Sequence, residues 1–147
     1  MRQGVRAGII AAAATLGTLL GFGRVRGAAL QPLNAIAHMT FGTRAYLMDG
    51  FDPAITLLAL LVHIASVLLW AVIFALLAGR LRGWRLVVSA LLFGGIAWVT
   101  DHALVPDALS PGFEQVLGPV EVGVVYVVLA LSLAAGIRLA APRPDTI

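Results

Sequence analysis

Cysteine and lysine are both absent from this chain of 147 residues. Without cysteine there can be no disulfide, no thiolate metal site, no iron–sulfur cluster and no thiol nucleophile. Without lysine there is no Schiff base to retinal or pyridoxal phosphate, and no phosphate-binding GxxxxGK loop. The HExxH and GxSxG motifs are missing as well. We therefore expect a protein that is not an enzyme, and we keep a membrane redox subunit as the one enzymatic alternative.

Charged residues are also scarce. They make up 12% of the chain, whereas apolar residues make up 61%, and the mean hydropathy is +0.99. A soluble domain averages about 45–50% apolar and about 25% charged residues. The basic residues are all arginines, and they lie in short groups at the ends of apolar runs, as topology signals do. We therefore expect an integral membrane protein that contacts lipid and does not bind nucleic acid.

Four apolar runs are long enough to cross a bilayer, and they cover residues 5–22, 54–78, 86–105 and 119–139. The sequence thus predicts an all-α fold, an antiparallel bundle of four transmembrane helices in one membrane domain, 1–147. Between the first two runs, a stretch of mixed polarity predicts an interfacial helix at about 33–48. A five-span alternative, in which 28–48 also crosses, has some support from the repeated Gly-Arg-x-Arg-Gly at 23–27 and 79–83.

Arginine counting predicts the orientation of this bundle. With four spans and the N-terminus inside, the cytoplasmic arginines are Arg2, Arg6, Arg80, Arg82, Arg85, Arg138 and Arg143. Only Arg24, Arg26 and Arg44 lie outside. The C-terminus is then cytoplasmic. A cleaved signal peptide is a competing interpretation of the first run, but two arginines directly before the supposed cleavage site argue against it.

Small residues in the first run predict close helix packing. They form two stripes with a spacing of four residues, Gly4-Gly8-Ala12 and Ala13-Gly17-Gly21. A depth rule adds a contact at the second hairpin, because residues equally far from its turn should lie at equal depth. Trp70 and Gly94 are each twelve residues from Arg82, so we expect the Trp70 indole to pack against the notch formed by Gly94 and Gly95.

The same depth rule predicts a polar cluster near the outer surface. His63 and Asp101 are each nineteen residues from Arg82, and Asp101 and Glu121 are each ten from Pro111. The predicted cluster comprises His63, Asp101, His102 and Glu121, with His38 covering it from the interfacial segment. Ionisable groups inside a membrane cost roughly 2.5–3.5 kcal/mol each when unpaired, so we expect them to partner one another.

Two interpretations of this cluster stay open. In the first, it is a structural polar layer that fixes the register of the helices. In the second, it handles a proton or holds a divalent metal or haem, because imidazole and carboxylate groups serve all three. No spacing motif for a cofactor is present, and we therefore predict none.

Several short patterns carry a resemblance to known proteins. They are Pro32-Leu33-Asn34-Ala35-x-x-His38-x-x-Phe41-Gly42, His63-x-x-Ser66-x-x-x-Trp70-Ala71, Asp101, Val105-Pro106 and Pro111-Gly112-Phe113-Glu114. Together they resemble uncharacterised small polytopic inner-membrane proteins of proteobacteria, over about residues 32–135. The resemblance implies a helical membrane fold and a bacterial inner membrane, and it implies no activity.

Two functional hypotheses follow. The leading hypothesis is a membrane protein that packs against other helices, as a homo-oligomer or as an accessory subunit of a larger complex. The alternative is a small transporter or a proton-, metal- or haem-handling protein that uses the polar cluster. A continuous transport path is disfavoured, because residues 74–78 and 87–92, on the inner side, contain Ser89 as their one polar residue.

Overall fold

The computed structural model describes residues 2–140, and within them the chain is all-helical. Its α-helices, in chain order, are α1 (Arg2–Val25), α2 (Gln31–Asn34), α3 (His38–Phe41), α4 (Thr43–Leu47), α5 (Pro53–Ala78), α6 (Gly83–Val99) and α7 (Pro119–Ala140). A π-helical turn, Thr100–Leu104, extends α6, and short 3₁₀ turns lie at Ala35–Ala37, Asp107–Leu109 and Phe113–Gln115. The predicted all-α bundle is confirmed.

Four helices are long and apolar enough to cross a membrane: α1, α5, α7, and α6 together with its π-helical turn. Their ends agree with the predicted spans to within three residues. The interfacial segment is divided into α2, α3 and α4, none longer than five residues. The predicted interfacial segment is thus helical but interrupted, because Gly42, at φ +55°, turns the chain between α3 and α4. The four-span bundle is confirmed over the five-span alternative.

Local sequence explains where α5 begins and where the α6 extension ends. The Asp52 carboxylate accepts hydrogen bonds from the backbone N–H groups of Ala54 and Ile55, at 3.0 and 3.1 Å, and Pro53 occupies the first helical position. After the π-helical turn, Val105 is extended because it precedes Pro106, and a residue before proline is driven out of the helical region. The helix cannot continue past this point.

Helix α1 is central, packing extensively against both α5 and α7. A side chain at Gly8 would lie 3.0 Å from the Ala71 Cβ atom of α5. On its other side, α1 approaches Gly136 of α7 so closely that a Cβ there would lie 2.5 Å from the Ala7 Cα atom. The predicted packing role of Gly4, Gly8 and Ala12 is confirmed, since all three are buried.

Gly17 and Gly21 are exposed, and a Cβ at either would meet no atom within 4 Å among the described residues, so their packing role stays a prediction. The predicted contact of Trp70 with Gly94 and Gly95 is wrong, and a Cβ at Gly95 would likewise meet no described atom. Gly94 is in a tight contact, but its neighbours are Ala130 and Tyr126 of α7. Trp70 packs edge-on against Phe93 at 5.6 Å. The reason is that α6 packs mainly on α7 and only briefly on α5.

The two ends of the bundle are tied by different contacts. At one end, the Gln3 amide donates to the backbone oxygens of Gly79 and Ile137, at 3.3 and 3.2 Å, which joins α1, the α5–α6 turn and α7. At the other end, Arg26 after α1 forms a salt bridge with Glu121 at the start of α7. The segments 26–52 and 105–118 meet at this second end. Arg143 lies outside the described residues.

Candidate functional site

A cavity of about 410 Å³ lies where α5 and the outer end of α6 diverge. The two helices contact each other further along α5, where the ring centroids of Phe74 and Phe93 lie 5.1 Å apart. The cavity wall is mainly apolar, and His63 of α5 and Asp101 of the π-helical turn both belong to it. Leu69 and Met39 line the cavity and are exposed on the bundle surface, so the cavity is open on one side.

His63 is 6% exposed and bonds to α1. Its Nε2 atom lies 3.2 Å from the backbone oxygen of Ala12 and 3.2 Å from the Oγ1 atom of Thr15. The predicted carboxylate partner is thus replaced by groups of α1, the helix that packs most closely on α5.

These contacts favour one tautomer of His63. A backbone oxygen can only accept, so the contact with Ala12 is a hydrogen bond when Nε2 carries the hydrogen and donates it. The Thr15 hydroxyl donates its own hydrogen to the Ala11 oxygen at 2.8 Å, and its oxygen is then free to accept from His63. In the neutral ring, Nδ1 therefore keeps an unprotonated lone pair. This atom has no hydrogen-bond partner among residues 2–140.

Asp101 is hydrogen-bonded to a residue of α7. The Tyr126 hydroxyl donates to the Asp101 Oδ2 atom at 2.7 Å, and both residues line the cavity. The π-helical turn widens the end of α6, with the N–H group of Val105 donating to the Thr100 oxygen at 2.9 Å. Such turns are often found at functional sites. No arginine forms a salt bridge with Asp101 within the described part of the chain.

His102 points away from the cavity and towards aromatic neighbours. Its ring stacks on Trp98, with centroids 5.7 Å apart, and its Nδ1–H donates to the Trp98 backbone oxygen at 3.0 Å. The ring also meets Tyr126 edge-on at 5.6 Å. Its Nε2 atom is buried without a hydrogen-bond partner in the described structure.

Glu121 belongs to a different contact. Arg26 binds both carboxylate oxygens in a fork, with Nε donating to Oε1 at 3.1 Å and Nη2 bonded to Oε2. The N–H group of Gly118 donates to Oε2 at 2.7 Å. The hydrogen bond to Glu121 raises the pKa of the Arg26 guanidinium above its ordinary value. Glu121 therefore ties α7 to the end of α1 and does not face Asp101.

His38 holds the two outer segments together. Its Nε2 atom lies 3.0 Å from the Asp107 backbone oxygen, and its Nδ1 atom lies 3.1 Å from that of Ala35. The ring stacks on Tyr46 at 5.4 Å. Neighbours on both segments, Ile36 and Ser110, line the cavity. His38 thus covers the cavity from the end of the bundle that carries Arg26, without entering it.

The five predicted residues therefore do not form one cluster. His63 and Asp101 share the cavity, whereas His102, Glu121 and His38 each have separate partners around it. Among residues 2–140, no group of three histidines and carboxylates is close enough to hold a metal ion. A bound metal or haem stays a prediction.

Sequence reasoning missed a second polar centre, at Asn34. This residue is fully buried, and its amide donates to the backbone oxygens of Met48 and Gly50, at 3.0 and 2.9 Å. Its own oxygen accepts from the Thr56 hydroxyl at 2.8 Å. Asn34 thereby fixes the interfacial segment to the start of α5. An asparagine within an apolar stretch was the available signal, since buried amides require partners.

The fold and the four apolar helices define an integral, multi-pass membrane protein. No protein-family model, curated protein or solved structure matches the chain. The resemblance to proteobacterial inner-membrane proteins stays a prediction.

Proposed function

We propose that this protein is a non-enzymatic protein of a bacterial inner membrane that acts by packing against other membrane helices. The partner is a second copy of the chain or a subunit of a larger complex. The observation that carries this proposal is the small-residue face of α1, formed by Ala13, Gly17 and Gly21. All three residues are exposed on the bundle surface.

This face contrasts with the buried face of the same helix. A glycine inside a helix costs roughly 1 kcal/mol relative to alanine. At Gly4 and Gly8 the cost is offset, because the small size lets α5 approach closely. At Gly17 and Gly21 nothing among residues 2–140 offsets this cost, since no described atom lies within 4 Å of a Cβ placed there. A partner helix on this face would make the close contacts that α5 makes on the other.

Cysteine cross-linking tests this proposal directly, because the natural chain contains no cysteine. We expect Ala13→Cys to form an intermolecular disulfide in native membranes, and Ala65→Cys, on an exposed part of α5, to remain monomeric. A product of twice the chain mass indicates a homo-oligomer, and a larger heterogeneous product indicates an accessory subunit. If Ala13→Cys and Ala65→Cys both stay monomeric, the proposal is wrong.

The orientation is part of the proposal. The end that carries Gln3 and Gly79 also carries most arginines, whereas two arginines at the other end, Arg26 and Arg44, are paired with Glu121 and Asp52. The positive-inside rule then makes the first end cytoplasmic, together with the C-terminus. Leu47→Cys and Trp84→Cys, both at exposed positions, test this. An impermeant maleimide should label the first variant in intact cells and the second only after permeabilisation.

A second candidate function is the handling of a proton, a metal ion or haem. One observation favours it: His63 and Asp101 line the same cavity. Metal analysis and an optical spectrum of the purified protein test it, with His63→Ala and Asp101→Asn for comparison. A metal or haem lost in both variants would favour this function over helix packing alone.

A further inference from the structure

We propose that the cavity between α5 and α6 binds one apolar molecule through a head group that donates hydrogen bonds to the Nδ1 atom of His63 and to Asp101. This site lies on a different part of the molecule from the exposed face of α1. The inference is therefore independent of the helix-packing function proposed above.

Both polar groups present hydrogen-bond acceptors. Because His63 donates its hydrogen from Nε2 to Ala12, its Nδ1 atom is left with a lone pair. Asp101 receives one hydrogen bond, at Oδ2 from Tyr126, and its Oδ1 atom has no partner among the described residues. Two acceptors that line one cavity are complemented by a donor, such as a hydroxyl or an ammonium group.

The two acceptors also make an occupant without a donor unfavourable. Among the described residues, the buried side-chain atoms without a partner are His102 Nε2 and Glu114 Oε2, so His63 Nδ1 and Asp101 Oδ1 are not sealed off from the cavity. An occupant that offers no donor would leave each of them without a hydrogen bond, at a cost of about 1–3 kcal/mol. His63 is 94% buried, since 6% of its surface is exposed. Most of the remaining wall is apolar, including Val67, Phe113 and Leu129. A ligand with an apolar body and a donor head matches both parts of the wall.

The size of the cavity and its access to lipid fit such a ligand. Ligand sites commonly measure about 300–1,000 Å³, and the cavity measures about 410 Å³. Leu69 and Met39 at its rim are 62% and 40% exposed on the surface of the bundle, where lipid chains lie. The apolar body of a ligand can therefore extend into the bilayer while its head group stays inside.

Four probes that share a dodecyl chain test the chemistry of the head group. Dodecanol and dodecylamine carry hydrogen-bond donors, dodecyl methyl ether is an acceptor only, and dodecyltrimethylammonium carries charge without a donor. Binding is measured in lipid nanodiscs by the fluorescence of Trp70, which lines the cavity, in a Trp84→Phe, Trp98→Phe background. Affinities are compared at equal mole fraction in the bilayer.

We expect the alcohol and the amine to bind about threefold to tenfold more tightly than the ether and the quaternary ammonium. This ratio of affinities corresponds to the net free energy of one hydrogen bond. A preference for the amine over the alcohol would assign the head group as cationic, and equal binding would assign it as neutral. Four equal affinities, or no binding, would overturn the proposal, since the cavity would then be an unspecific crevice for lipid chains.

Two variants test whether the preference for donor head groups depends on Asp101 and His63. Asp101→Asn keeps an acceptor for Tyr126 and replaces the other oxygen with a donor, so we expect binding of the ether to strengthen relative to the alcohol. His63→Phe should reduce the preference for donors. Thr18→Val removes a hydroxyl that bonds to Ala14 away from the cavity and serves as the control. A donor preference that is unchanged in Asp101→Asn and in His63→Phe contradicts the proposal.

Discussion

The hydroxyl of Tyr126 donates a hydrogen bond of 2.7 Å to Asp101 and thereby connects α7 to the π-helical turn that follows α6. Tyr126 is 6% exposed and also contacts the ring of Phe113, at 6.4 Å between centroids. The contact closes one side of the cavity. Because α6 packs on α7 and hardly on α5, this bond helps to hold the outer end of α6 away from His63.

Tyr126→Phe should destabilise the bundle by roughly 0.5–2 kcal/mol, because the carboxyl group of Asp101 loses its donor while the ring packing remains. Tyr46→Phe is the matched control: it removes the same hydroxyl from a residue that stacks on His38. Unfolding in mixed detergent measures both changes. Equal losses in the two variants would show that the bond to Asp101 adds nothing.

Two glycines of α7 differ in their surroundings, so replacing each with alanine should change the stability of the bundle in opposite directions. Gly136→Ala places a Cβ 2.5 Å from the Cα atom of Ala7, so α1 and α7 must separate, at a cost of about 1–3 kcal/mol. Gly123→Ala meets nothing within 4 Å, and we expect a gain of up to about 1 kcal/mol from helix propensity. Thermal unfolding of the two variants in nanodiscs checks this. A stable Gly136→Ala variant would contradict the close α1–α7 contact.

Removing the buried amide at Asn34 should release the interfacial segment from α5. Asn34→Ala removes one buried and two partly buried hydrogen bonds, and we expect a loss of about 2 kcal/mol or more. Gln31→Ala is the control, because Gln31 makes one partly buried bond, to Tyr46 at 2.8 Å. Hydrogen exchange should show faster exchange in residues 43–50 of Asn34→Ala. Slow exchange there would mean that other contacts hold the segment.

The spans could be predicted from the sequence because hydropathy and proline mark where a helix can lie in lipid. The predicted span 86–105 ends directly before Pro106, where the helix also ends in the structure. The neighbours of each helix could not be predicted in the same way. Small residues show that a close contact is possible without identifying the partner, and the notch at Gly94 faces α7 instead of Trp70.

The site could be predicted in part. The depth rule places His63 and Asp101 at one level, and both line one cavity. It gives no rotation about the helix axis, however, so it could not show that His63 turns towards Ala12 or that Glu121 turns towards Arg26. Opposite charges at the outer ends of α1 and α7 were the available signal for that salt bridge.

The tautomer of His63 tests the account most directly, because both the contact with α1 and the free acceptor in the cavity depend on it. The chain contains three histidines, so a protein labelled with ¹⁵N at histidine and held in nanodiscs gives a simple spectrum, which His63→Phe assigns. We predict that Nε2 of His63 carries the hydrogen, that Nδ1 is unprotonated, and that dodecanol shifts the Nδ1 signal. A hydrogen on Nδ1 in the neutral ring would contradict the account.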